Sequence, residues 1–149
     1  MKIGLGCDHG GYGLKETIKE HLASKNIEFV DYGTHSTESV DYPVYGEKVA
    51  NAVVAKEVDL GILICGTGLG ISMAANKVKG IRAAVVSDCF TAEMSKAHNN
   101  ANILALGDRV VGKGLALKIV DTWLNTEFEG GRHANRVDKI IAIEKKHYK

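Results

Sequence analysis

The fold is decided by the stretch Val58-Asp59-Leu60-Gly61-Ile62-Leu63-Ile64-Cys65-Gly66-Thr67-Gly68-Leu69-Gly70-Ile71-Ser72. Its first part, 58–64, is a short apolar run that predicts a buried strand. The part that begins at Ile71 predicts the start of a helix. Free backbone N–H groups and the positive end of the helix dipole favour an anion at such a junction. Because Cys65 stands at its mouth, we hypothesise that Cys65 does chemistry and that the glycine loop holds the resulting negative charge.

Predicted strands and helices alternate along the whole sequence. The strands cover 2–6, 27–32, 58–64, 81–86 and 102–106, and the helices cover 12–24, 42–55, 90–98, 112–124 and 136–147, with one more from residue 71. Several strands are continuously apolar, which is typical of a parallel sheet covered on both faces. We therefore predict a single α/β domain over residues 1–149, a Rossmann-like three-layer αβα sandwich with a five-stranded parallel sheet.

Composition excludes several classes of protein. A formal net charge of +1 gives no reason to expect nucleic acid or an anionic membrane as a partner. No apolar run approaches the roughly 20 residues of a membrane span, and the first residues do not resemble a signal peptide. The three cysteines, Cys7, Cys65 and Cys89, form no CxxC pair, which argues against a disulfide framework and a structural zinc site. We expect a cytoplasmic protein.

Polar segments follow the predicted strands at 7–9, 65–70, 87–89 and 107–109, at the sheet edge where ligands of such folds bind. A free cysteine is most often a small buried hydrophobe, and we read Cys7 and Cys89 in this way. Cys65 differs because a glycine loop and a helix start follow it, and a helix N-terminus favours the thiolate. From spacing alone, both a chemical and a structural role for Cys65 stay open.

The glycine run itself does not match the common nucleotide motifs. A dinucleotide fingerprint needs G-x-G-x-x-G, but Ile71 stands in the place of the third glycine, and the run follows the third strand instead of the first. It is not a G-x-x-x-x-G-K-[ST] loop either. A tight turn is an alternative, but three glycines at alternate positions exceed what a turn requires. An anion or oxyanion loop is the interpretation that fits best.

Histidines and arginines offer contacts for a phosphate. Arg132 and Arg136 lie four apart and can share one face, as either a solvated basic patch or a phosphate clamp. His9 is followed by two glycines and a helix start, which favours a ligand-facing role over a buried structural one. His98 ends a predicted helix, where it can also serve as a cap.

Five blocks of residues together resemble ribose-5-phosphate isomerase type B, a family that includes the galactose-6-phosphate isomerase subunits. The blocks are Cys7-Asp8-His9-Gly10-Gly11, Asp41-Tyr42-Pro43, Cys65-Gly66-Thr67-Gly68-Leu69-Gly70-Ile71-Ser72 with Ala75-Asn76-Lys77, Ala97-His98-Asn99 and Gly107-Asp108-Arg109. The resemblance covers nearly the full chain in order. It implies an aldose–ketose isomerase of the pentose phosphate pathway that interconverts ribose 5-phosphate and ribulose 5-phosphate without metal or organic cofactor.

The resemblance also implies a role for each candidate residue. Cys65 matches the base that moves a proton between C2 and C1, and Thr67 matches a residue that helps to move the hydroxyl proton. The resemblance implies that the anion hole for the cis-enediolate is formed by Gly66, Gly68, Leu69 and Gly70. Asp8 and His98 match the pair that opens the furanose ring, with His98 supplied by the neighbouring subunit. Substrate or phosphate contacts match His9, Tyr42, Asn99, Arg109, Arg132 and Arg136, of which Arg109 is expected from the partner.

Several alternatives stay open at this point. One branch of the family carries a glutamate base at the position of Leu69, and Leu69 excludes that branch. The sugar phosphate is not fixed, so allose 6-phosphate and galactose 6-phosphate are alternatives to ribose 5-phosphate. A nucleotide-binding module and a non-catalytic subunit are weaker alternatives. A shared site implies a homodimer, and the sequence does not distinguish a dimer from a tetramer.

Overall fold

A computed structural model, which describes residues 1–148, contains one five-stranded sheet flanked by helices. The strands are β1 (Lys2–Cys7), β2 (Glu28–Asp31), β3 (Leu60–Cys65), β4 (Ala83–Val85) and β5 (Ile103–Gly107). They lie in the order β2-β1-β3-β5-β4, and every neighbouring pair is parallel. The helices are α1 (Tyr12–Ser24), α2 (Tyr42–Val54), α3 (Leu69–Ala75), α4 (Cys89–Ala97), α5 (Lys113–Leu124) and α6 (Arg132–His147). The predicted Rossmann-like αβα sandwich is confirmed.

β3 shows how the central strands distribute their side chains between two cores. Ile62 and Ile64 pack in one cluster with apolar residues of α1 and α5. Leu63 and Cys65 pack in the other cluster with apolar residues of α2 and α3. Because successive side chains of a strand point to opposite faces, a continuously apolar strand fills both cores.

The register of the three central strands brings their carboxyl ends to one edge. Cys7 of β1 pairs with Ile64 of β3, and Cys65 pairs with Gly107 of β5. The loops that begin at residues 8, 66 and 108 therefore leave the sheet side by side. The expected convergence of the polar segments at this edge is confirmed for these three loops.

Several element boundaries differ from the sequence-based predictions, and three of these differences have a clear physical reason. α6 begins at Arg132 instead of 136, because Gly130 and Gly131 make the turn just before it with positive φ values of 69° and 55°. β4 is limited to Ala83–Val85, since the N–H of Arg82 donates to the Asn102 side chain. α3 begins at Leu69 because Gly68, with φ of +80°, ends the loop there. Within residues 1–148, every helix is too short or too polar to cross a bilayer.

Candidate active site

Cys65 lies at the end of β3 with its sulfur among the backbone amides of the following loop. The residue is 5% exposed, and the N–H of Gly68 donates to its Sγ at 3.1 Å. Gly68 takes a left-handed conformation, and a Cβ there would also lie 2.9 Å from the Leu106 carbonyl carbon. The residue at position 68 is therefore confined to glycine, and its N–H is aimed at the sulfur. The Cys65 sulfur therefore accepts a hydrogen bond from a donor that the backbone holds in place.

Thr67 and Leu69 complete the loop on its open side. The Thr67 hydroxyl oxygen accepts a hydrogen bond from the N–H of Leu69 at 3.2 Å, and both residues are exposed. The Leu69 side chain carries no titratable group, so Cys65 is the one group of this loop that can act as a base. The hydroxyl of Thr67 is free to donate its proton outward.

Asp8 and His9 follow β1 and lie next to the loop. Asp8 is 7% exposed, and its Oδ1 accepts from the N–H of Gly11 at 3.1 Å. A Cβ on Gly10 would lie 3.3 Å from both Asp8 Oδ1 and the Gly66 nitrogen, so carboxylate and loop are neighbours. The Nδ1 atom of His9 accepts from the N–H of Val40 at 3.1 Å. Nε2 of a neutral His9 therefore carries the proton and can donate it to an anion.

Tyr42 and Arg109 border the same loop. The Tyr42 ring covers Gly70 so closely that a Cβ on Gly70 would lie 2.6 Å from it. The Arg109 N–H donates to the Gly66 carbonyl at 3.0 Å, and a Cβ on Gly66 would lie 3.6 Å from the guanidinium carbon of Arg109. Arg109 thus lies beside the loop of its own chain, and the contact with the partner's site that the resemblance implies stays a prediction. Together these groups form the loop half-site, defined as Asp8, His9, Tyr42, residues 65–70 and Arg109.

A second group of predicted residues lies where α4 ends and α6 begins. It comprises His98, Asn99, Arg132 and Arg136, together with Glu129 and His133, and is called the helix half-site. The rings of His98 and His133 are stacked with centroids 3.9 Å apart and planes 9° from parallel. Oε1 of Glu129 lies 3.6 Å from Nε2 of His98 and 3.4 Å from Nε2 of His133. Among the described residues, no hydrogen bond or ion pair joins the two half-sites.

Burial and neighbouring positive charge set the protonation of His133. Desolvation lowers the pKa of His133, and His98, Arg132 and Arg136 lower it further, whereas Glu129 opposes them. Two stacked imidazolium rings would place like charges within 4 Å, which is unfavourable. His133 is consequently the neutral member of the stack at neutral pH.

The helix half-site has the residue types, but not the ring geometry, of a metal centre. One ligand atom each from His98, Glu129 and His133 lies within 4.8 Å of the others. A metal ion lies close to the plane of each imidazole that binds it, at about 2.0–2.1 Å from nitrogen. Parallel rings 3.9 Å apart share no such position. The stack as it stands does not fit one ion bound by both histidines.

Cys7 and Cys89 have surroundings unlike those of Cys65. Cys7 packs in the α1 and α5 core, on the sheet face opposite Cys65, and its Sγ donates to the Thr34 carbonyl at 3.9 Å. Burial raises the pKa of Cys7 to about 12, although Lys15 and the Thr34 contact oppose this effect. Cys89 is partly buried at the start of α4 and packs against the same core. Both fit the structural role predicted for them.

Two residues of the helix half-site, Glu129 and His133, were missed by the reasoning from sequence. The two residues lie four apart around Gly130-Gly131 in the sequence, but the sequence pattern predicts a connection at this point and not the start of a helix. A histidine in the first turn of a helix gives no signal of its own. The stacking on His98 depends on the chain crossing from α5 to α6 past the end of α4, which no local pattern shows.

Comparison with known proteins gives one consistent result. A model of the family described as Ribose/Galactose Isomerase matches residues 3–140. Ribose-5-phosphate isomerase B of Escherichia coli is 55% identical over 145 residues, which is 97% of each chain. The structure of Clostridium thermocellum ribose-5-phosphate isomerase B is 65% identical, with a TM-score of 0.98 over 99% of each chain.

A further solved structure carries a ligand. It is ribose-5-phosphate isomerase B of Mycoplasma genitalium with bound ribulose-5-phosphate, 48% identical, with a TM-score of 0.92 over 97% of this chain and 96% of that one. The family model and these relatives cover almost the whole sequence, including every candidate site residue. The chain therefore belongs to the ribose/galactose isomerase family.

Proposed function

We propose that this protein is a ribose-5-phosphate isomerase that interconverts ribose 5-phosphate and ribulose 5-phosphate, acting as one domain in the cytoplasm. The observation that carries the proposal is the 3.1 Å hydrogen bond from the Gly68 N–H to the Cys65 sulfur, within the glycine loop of residues 66–70. Relatives of 48–65% identity bear this activity in their names, and the one from M. genitalium holds ribulose-5-phosphate.

In the proton-transfer step, the Cys65 thiolate takes the proton from C2 of the open-chain aldose. The C2–H electrons form the C1–C2 double bond of the enediolate, and the carbonyl electrons move onto O1. The amides of residues 66–70 stabilise this charge, and one such donor contributes about 3–4 kcal/mol in other enzymes. Thr67 moves the hydroxyl proton between O2 and O1. Cys65 then returns its proton to C1, which gives the ketose.

Ring opening precedes that step, because the aldose is mostly a furanose. We assign it to Asp8 and His98. The His98 imidazolium donates a proton to the ring oxygen while the Asp8 carboxylate takes the proton of the C1 hydroxyl. The bond between C1 and the ring oxygen breaks, and its electrons go to that oxygen. The phosphate is held by His9, Arg109, Arg132 and Arg136, with Tyr42 and Asn99 on the sugar; its binding energy fixes the reacting carbon at Cys65.

We infer that the two half-sites meet across a homodimer. Of the sixteen residues of α6, all within the described part of the chain, two are buried, His133 and Val137. Ile140 and Ile143 of the same helix are exposed and line a groove of about 540 Å³ with Ile81 and Tyr148. A helix that leaves large apolar side chains beside an apolar groove needs a partner surface. A second copy both covers this surface and supplies His98 to Cys65.

The proposal is tested by turnover of the purified protein on ribose 5-phosphate, allose 6-phosphate and galactose 6-phosphate, each with and without a chelator. Cofactor-free activity on ribose 5-phosphate, unchanged by the chelator, is expected, and Cys65→Ala is the inactive control. Preference for a six-carbon sugar phosphate would contradict the assigned substrate. Loss of activity with the chelator would contradict the metal-free mechanism, and activity of Cys65→Ala equal to wild type would contradict the assigned base.

A further inference from the structure

Glu129 and His133 have no part in the steps above, although both contact the proposed proton donor His98. The stack of His98 on His133 is nearly parallel, and one carboxylate oxygen of Glu129 faces Nε2 of both rings. Exposure differs within the cluster: His133 is 7% exposed, whereas the side chain of His98 is 36% exposed. One ring is thus enclosed in the protein, and the other stacks on it and is partly exposed.

Main-chain hydrogen bonds hold Glu129 and His133 next to His98. The N–H of Glu129 donates to the carbonyl of Ala97 at 3.0 Å, which ties the segment before α6 to the last turn of α4. Gly131 then adopts φ 55° and ψ −129°, a conformation essentially restricted to glycine. The N–H of His133 closes the turn on the Gly130 carbonyl at 3.0 Å. Glu129 and His133 are therefore placed against His98 by main-chain contacts and do not depend on the substrate.

One carboxylate and several positive groups lie around the stack. His133 is surrounded by His98, Arg132 and Arg136, and Glu129 is its acidic neighbour. The buried ring of His133 offers a flat surface on which the ring of His98 packs. The Glu129 carboxylate oxygen lies at ion-pair distance from Nε2 of both rings. His98 is the more exposed of the two rings, so it is the one that a substrate can reach.

We propose that His133 and Glu129 are positioning residues for the proton donor of ring opening: His133 fixes the plane of His98 by stacking, and Glu129 faces the Nε2 atom of His98 with a carboxylate oxygen. This inference rests on the proposed function, because it presupposes that His98 protonates the ring oxygen. Turnover of ribose 5-phosphate then requires Glu129 and His133 in addition to Cys65 and its loop. The donor works only when it is held by two further residues of its own chain.

Ribulose 5-phosphate separates ring opening from proton transfer. Its terminal oxygen carries the phosphate, so it cannot close a furanose ring and reaches Cys65 as an open chain. Wash-in of solvent deuterium at C1 of ribulose 5-phosphate therefore reports proton transfer without ring opening. We expect His133→Ala to lower kcat on ribose 5-phosphate by about tenfold to a hundredfold, while deuterium wash-in at C1 stays within about twofold of wild type. His133→Phe, which keeps a flat ring, should recover most of the lost turnover.

Glu129→Gln provides a second test that does not depend on a buried residue. Glu129 is exposed, so the variant is expected to fold, and Glu127→Gln on the same connection is its matched control. Without the carboxylate, no negative charge faces Nε2 of the proposed proton donor, so the alkaline limb of the kcat profile on ribose 5-phosphate should move to lower pH. The profile of Glu127→Gln should match wild type.

The possible results distinguish a failure of the positioning role of His133 and Glu129 from a failure of the proposed isomerase function. A wild-type protein that does not isomerise ribose 5-phosphate overturns the proposed function. A wild-type protein that does so, with His133→Ala turnover within twofold or an unmoved Glu129→Gln profile, overturns only the positioning role. A parallel fall of turnover and C1 wash-in in His133→Ala also overturns it, because general structural damage would do the same.

Discussion

The loop half-site and the helix half-site are built in different ways. In the loop half-site, Cys65 and Asp8 are at most 7% exposed and are held by backbone N–H groups at the ends of central strands. In the helix half-site, Glu129 has a 56% exposed side chain, and the histidines are held by side-chain stacking. Fixed amides in a buried place suit the stabilisation of a developing charge. The exposed arginines suit the capture of a phosphate, and the partly exposed ring of His98 suits completion of the site by a partner surface.

The largest expected effect lies in the loop half-site and contrasts two cysteines on opposite faces of the sheet. Cys65→Ala removes the proposed base and should lower kcat by at least about 10²-fold. Cys7→Ala is the matched control, because Cys7 is fully buried and its raised pKa keeps it a thiol. We expect its kcat within about twofold of wild type and a loss of about 1 kcal/mol of stability. Steady-state kinetics measure kcat, and denaturant unfolding measures the stability of each variant. Equal loss of turnover in the two variants would contradict the assignment of Cys65 as the base.

A smaller effect, on KM instead of kcat, is expected in the helix half-site. Arg136→Ala removes the proposed charge-assisted contact to phosphate, which should raise KM by about tenfold to a hundredfold with a lesser change in kcat. Lys139→Ala, an exposed cation on the same helix, is the control and should leave KM unchanged. Equal changes in the two variants would show that only the general positive charge of α6 matters.

The smallest effect concerns Asp88, which caps the far end of the helix that carries His98. Its carboxylate accepts from the N–H and the hydroxyl of Thr91 at 2.7 and 2.8 Å, and the backbone contact, followed by the hydroxyl, lowers the pKa of Asp88. The stabilisation is therefore present above the unfolded-state pKa of about 3.9 and lost as pH falls through the lower folded-state value. Asp88→Ala should lower Tm by about 4 °C at pH 7 with unchanged kcat. The difference from wild type should shrink in scans below pH 4; a difference independent of pH would contradict the cap.

Most of the loop half-site can be predicted from the sequence, because its parts follow from local patterns of apolar residues and glycines. An apolar strand, alternate glycines and a helix start predict where Cys65 lies and what surrounds it, and the parallel topology brings Asp8 to the same edge. The helix half-site was less predictable. The spacing of four residues pairs Arg132 with Arg136. Glu129 and His133 become neighbours of His98 only because the end of α4 lies against the start of α6. Stacking between residues 98 and 133 is a long-range contact without a local pattern.

In the proposed homodimer, each active site takes its loop half-site from one chain and its helix half-site from the other. Co-expression of the Cys65→Ala and His98→Ala chains tests this sharing, because each homodimer lacks one proposed catalytic group at both sites. In a mixed dimer, one site joins intact Cys65 to intact His98. Random pairing makes about half of the dimers mixed with one complete site each, so about a quarter of wild-type turnover is predicted. Turnover no higher than that of the two separate variants would contradict the claim.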